Sequence, residues 1–131
     1  MNKEYVTLEI AELLKEKDFN EPCECCIDVT GTIYNYFKFG ITNSRLSKNW
    51  LPYPTLHQVQ KWLREKHNCY VQITYEAYKT RVNYLVQVLF YEPNDDDCWS
   101  NKSTGKYGDN AEFDSFEDAL SFGILEALKR I

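Results

Sequence analysis

The sequence predicts an α+β domain with helices stacked on antiparallel sheet, and three observations predict it. Residues 23–39 and 69–91 alternate apolar and polar types around central turn residues, the pattern of two hairpins. Three other stretches place apolar residues at helical spacing on one side only. In order these read helix, hairpin, helix, hairpin, helix within 131 residues, the length of one domain.

The first helix carries Ile10, Leu13 and Leu14 on one stripe, with Val6 four residues before Ile10. Thr7 is its expected N-cap, Glu9 and Glu12 suit the positive end of its dipole, and Asn20-Glu21-Pro22 stops it. A hairpin follows. Cys23 to Val29 places Cys23, Cys25, Ile27 and Val29 on one face, Thr30-Gly31 turns, and Thr32 to Phe39 returns. Residues 40–54 sustain neither period and read as a long connection. A second helix starts at Thr55, with Gln58 completing a capping box, and ends near His67-Asn68. Leu56, Val59 and Leu63 form its buried stripe.

The second hairpin is the clearest β pattern. Cys69 to Tyr78 and Val82 to Tyr91 are its strands, and Lys79-Thr80-Arg81 is its turn. Residues 92–112 form a polar loop. The last helix is capped by Asp114 or Ser115 and carries Phe116, Ala119, Leu120, Gly123, Ile124, Ala127, Leu128 and Ile131 on one stripe. Leu13, Leu63, Val86, Leu120 and Ile124 are the expected core positions. Whether the two hairpins join into one sheet is left open by the pattern.

Composition excludes several classes of function. The net charge of -5 and a pI near 5.0 disfavour general binding to nucleic acid or to an anionic membrane. No apolar run approaches the ~20 residues of a membrane span. The opening residues lack a secretory h-region, and five cysteines are an odd number, so reduced thiols and a cytoplasmic location are expected. Asn101-Lys102-Ser103 matches a glycosylation sequon that has no meaning without secretion.

Motifs for chemistry are weak. Cys23, Cys25, Cys26, Cys69 and Cys98 with His67 have the donor types for zinc but no Cys-x-x-Cys knuckle, and alternation sends Cys25 and Cys26 to opposite faces. His67 and Cys69 straddle a helix end and a strand start, and no third group is in view to orient a base. Asp95-Asp96-Asp97 lacks the spacing and central glycine of a calcium loop. Ser103-Thr104-Gly105-Lys106 lacks the earlier glycine of a phosphate loop. The expectation is a protein without cofactor or metal, more plausibly not an enzyme.

The Tyr5-Val6-Thr7-Leu8-Glu9-Ile10-Ala11 opening, the block from Pro54 to Glu65 and the Phe116-Glu117-Asp118-Ala119-Leu120 segment resemble a group of small uncharacterised proteins of gut Bacteroidetes and their phages or mobile elements. The resemblance covers most of the chain. It implies a bacterial cytoplasmic setting and assigns neither an activity nor a site residue.

Aromatic residues are the distinctive feature, at 15% with ten tyrosines. In the second hairpin Tyr70, Tyr78, Leu85, Leu89 and Tyr91 share the face opposite Val71, Ile73, Val86 and Val88. They are interleaved with Gln72, Thr74, Glu76, Asn83 and Gln87, a composition that suits a recognition patch. Trp50 and Tyr53, on the long connection, are expected to border it; burial under that loop or the third helix is the competing reading. Three functions compete. A non-catalytic interaction or regulatory protein, docking a protein partner or a second copy, ranks first. A nucleic-acid module stacking bases on strand tyrosines ranks second and needs Arg45, Lys48, Lys61 and Arg64 to cluster nearby. A cysteine- or metal-dependent enzyme ranks third.

Overall fold

In a computed structural model of the chain, residues 3–35, 40, 42, 46, 49–91, 99–101 and 113–131 are described, the last strand, 99–101, by its backbone pairing. The elements are α1 (Leu8–Glu16), β1 (Cys26–Asp28), β2 (Ile33–Tyr34), β3 (Trp50–Pro52), α2 (Leu56–His67), β4 (Cys69–Ala77), β5 (Val82–Tyr91), β6 (Trp99–Asn101) and α3 (Phe116–Leu128). Among the described residues, three helices and two antiparallel sheets make an α+β fold. The strands order as β2-β1-β3 in one sheet and β4-β5-β6 in the other, so the hairpins do not merge.

The helix ends follow the capping chemistry. Thr7 Oγ1 accepts from the Ile10 amide at 3.2 Å. In α2, Thr55 Oγ1 accepts from Gln58 N at 3.2 Å and Gln58 Oε1 accepts from Thr55 N at 3.0 Å, the reciprocal capping box. Asn68 ends α2 in the left-handed region at φ 50°, donating to Leu63 O, which turns the chain at once into β4. Ser115, the second of the two expected caps, accepts from Asp118 N at 3.1 Å at the start of α3.

The first hairpin is where the sequence reading needs correction. Among the described residues its strands span three and two residues, residues 36–39 of the expected return strand lying outside the described residues, and Cys26 and Ile27 are both buried while Val29 is exposed. Strict alternation fails because β1 is a central strand, and Trp50–Pro52, read above as connection, pairs along its other edge. The turn keeps its predicted form. Gly31 sits at φ +93°, and Asp28 Oδ1 accepts from the Thr30 and Thr32 amides, both at 2.9 Å. The carboxyl of Asp28 is held below the ordinary carboxylate range, first by the Thr30 hydroxyl and then by the Thr32 amide.

One continuous apolar core joins both sheets and all three helices. Val6, Ile10 and Leu14 enter from the N-terminal segment, Ile27 and Leu51 from the first sheet, Val59 and Leu63 from α2, and Leu120, Ile124 and Leu128 from α3. Four of the five expected core positions are buried; Leu13 is half-buried because Ala11 takes the inward position on α1. α3 lies on the Val71/Val86 face of the second sheet. A Cβ on Gly123 would meet Val71 Cγ1 and Val86 Cγ2, each at 2.5 Å, so glycine sets this close approach.

Candidate functional site

β4 and β5 pair residue for residue from Cys69↔Phe90 to Ala77↔Val82, with no bulge. Tyr91 N donates to Asn68 O at 2.9 Å and Tyr78 N to Arg81 O at 2.8 Å. In an antiparallel ladder, hydrogen-bonded pairs alternate with non-bonded ones. Even-numbered residues of β4 therefore bond to β5, and odd-numbered ones turn N–H and C=O away from it. β5 has β6 on its other side, so β4 is the outer strand.

That outer edge is treated unevenly. At Val71 its carbonyl accepts from Gln60 Nε2 of α2 at 2.8 Å. Farther along, Ile73, Tyr75 and Ala77 have no main-chain partner on the outer edge among the described residues. Thr74, Tyr75, Glu76 and Ala77 are all exposed, Tyr75 at 71%. A groove of about 580 Å³ beside the start of β4 is lined by Gln60, Arg64, Tyr70, Ile73, Leu89 and Phe116, among others.

The seven patch residues do not form one surface. Tyr70, Leu85 and Leu89 are half-buried, and Tyr78 and Tyr91 are exposed, all five in or beside the second hairpin. Tyr78 is held by its own neighbours: its hydroxyl meets Glu76 Oε2 at 2.7 Å and Arg81 lies 5.7 Å from its ring centroid. Trp50 lies in the other sheet, stacked on Tyr34 at 4.5 Å. Tyr53 is buried in the core at 3% exposure, stacked on Tyr5 at 4.8 Å. β3 carries both toward the first sheet, a consequence of pairing that the irregular sequence of 40–54 conceals. α3 covers the opposite face of the hairpin from the patch.

Sequence alternation misses two residues of this surface. Tyr75 and Val82 share the parity of the core face, yet Val82 is 41% exposed. The inward face of a hairpin is buried only as far as the helix beneath it reaches. The sequence signal is their position, three and one residues from the Tyr78–Arg81 turn.

The alternative chemistries find little support. Burial pushes the Cys23 and Cys69 thiols up to about 12 and Cys26 to about 11. Such thiols stay protonated and are poor nucleophiles and metal ligands. His67 is held below its usual value by burial, with its ring edge-on to Trp62 at 4.6 Å. Among the described residues no three His, Cys, Asp or Glu side chains group as a metal site. Lys61 is paired with Glu65 at 3.9 Å, and Arg64 lines the groove. Arg45, Lys48, Tyr36, Cys98, the Asp95–Asp97 run and Ser103–Lys106 lie outside the described residues. No helix among those described is long and apolar enough to cross a membrane.

No protein-family model, no curated protein and no solved structure matches this chain.

Proposed function

We propose that this chain is a non-catalytic protein-interaction module that works in a bacterial cytoplasm and docks its partner on the second hairpin. One observation carries the reading. Of the six large apolar side chains exposed among the described residues, Tyr75, Tyr78, Val82 and Tyr91 belong to this hairpin and its turn. Exposed aromatic residues beside an unpaired strand edge are what recognition surfaces offer. The buried thiols, held protonated, support a role without thiol chemistry. The resemblance to small proteins of gut Bacteroidetes and their mobile elements supports the cytoplasmic setting.

The test is cross-linking in cells with an amine-reactive reagent. Lys79 in the hairpin turn should give the dominant links to another polypeptide, and Tyr78→Ser with Val82→Ser should remove them while the far-ultraviolet dichroism is unchanged. Dominant links at Lys3 or Lys129, indifferent to those substitutions, would place docking elsewhere and end this reading.

A further inference from the structure

Building on the docking role assigned to the second hairpin, we infer that the occupant of the β4 edge is a second copy of the chain, paired strand to strand in antiparallel register about Tyr75.

The edge is a template that lacks the usual protection. Natural edges are blunted by proline, lysine, a bulge or an inward-pointing charge. From Val71 to Ala77 there is no proline and no lysine, and the ladder to β5 runs without a bulge. The outward groups of Ile73, Tyr75 and Ala77 form a short unpaired run that is symmetric about Tyr75. Two copies related by a two-fold axis at Tyr75 would pair Tyr75 with Tyr75, and Ile73 with Ala77 in both directions. Each such pair exchanges both of its N–H···O bonds.

The chemistry excludes the neighbouring registers. Moving the axis to Glu76 sets Glu76 directly opposite Glu76, and like charges directly opposed destabilise a ladder. Moving it to Thr74 requires the outward groups of Val71, whose carbonyl is already held by Gln60 at 2.8 Å. With the axis at Tyr75, the only charged side chain between Val71 and Ala77, Glu76, faces Thr74 of the second copy. Tyr78 of the second copy then falls opposite Gln72, beside the groove lined by Tyr70 and Leu89.

Helix placement permits the arrangement. α2 reaches the edge at Val71, whereas residues 74–82 are all exposed. In this register Val71 lies opposite Lys79 of the second copy. The helix-covered half of one strand thus faces the bare half of the other, and the two α2 helices sit at opposite ends of the paired strands.

Sedimentation velocity on the full chain at about 0.15 M salt, which screens the mutual repulsion of two acidic copies, tests this. The expected result is a reversible dimer. Tyr75→Pro removes only an outward N–H, so the β4–β5 ladder stays intact while the dimer weakens by roughly tenfold or more, about 1.4 kcal/mol. The register is tested separately by charge. Thr74→Glu, which opposes Glu76 of the second copy, should weaken the dimer, and Thr74→Lys should tighten it. A chain that stays monomeric at every concentration, or a dimer indifferent to Tyr75→Pro and to the sign of the charge at position 74, overturns the proposal. Neither of those results touches the cross-links at Lys79, so the broader docking role stands or falls on its own experiment.

Discussion

Tyr53 shows how one hydroxyl can work against the fold around it. Its ring is buried and stacked on Tyr5, yet its hydroxyl is buried with no hydrogen-bond partner among the described residues. An unsatisfied buried polar group costs about 1–3 kcal/mol. Tyr53→Phe keeps the ring and deletes the orphan, so it should raise stability by about 1 kcal/mol in urea melts. A loss of stability would mean that the hydroxyl is satisfied. The cysteines give a second result at this scale. Cys23, Cys26 and Cys69 are buried and held protonated, whereas Cys25 is half-buried. Alkylation of the native protein followed by mass spectrometry should label Cys25 well before those three. Because the buried thiols have raised folded values, their contribution to stability is complete below the ordinary thiol value of 9.0 and is lost as pH rises toward about 11–12. Melting temperature should therefore fall as pH rises above 9.0, and Cys69→Ala should flatten that slope.

At the scale of elements, the joint between α3 and the second sheet depends on Gly123. The missing side chain lets the helix approach Val71 and Val86 closely. Alanine there gains up to about 1 kcal/mol of helix propensity but overpacks two β-branched side chains on a rigid sheet, at about 1–3 kcal/mol. Gly123→Ala should therefore destabilise the protein in denaturant melts, and a neutral or stabilising result would show that the helix sits farther from the sheet. The elements also show what was legible in the sequence. N-caps are local chemistry, so Thr7, Thr55 with Gln58 in a capping box, and Ser115 announce three helices. The second hairpin is legible because both strands alternate for their full length. β3 is not, because Trp50-Leu51-Pro52 has no periodicity of its own and becomes a strand only by pairing with β1. The candidate surface divides along the same line. Its hairpin residues follow from parity, whereas Trp50 lies on β3 and Tyr53 directly after it, and their destination is set by a long-range pairing.

For the whole molecule, the decisive feature is an asymmetry in how the core is shared. Both sheets and all three helices contribute to one core, so the inner half of the second hairpin is fixed beneath α3. Its outer half projects beyond the helices with an exposed edge, exposed tyrosines and an unpaired main chain at Ile73, Tyr75 and Ala77. Rigidity at one end and bare hydrogen-bonding groups at the other suit strand addition, because a fixed edge loses little freedom on pairing. Exposure of Tyr75 and Val82 follows from this reach of the helices and is invisible to any pattern confined to the strands.

Amide hydrogen exchange across β4, followed residue by residue at high and low protein concentration, tests the central claim most directly. Gln72, Thr74 and Glu76 bond to β5 in either state and serve as internal controls. The account predicts that the amides of Ile73, Tyr75 and Ala77 are protected at high concentration and lose that protection, by roughly tenfold or more, on dilution. Fast exchange of those three amides at every concentration would contradict it.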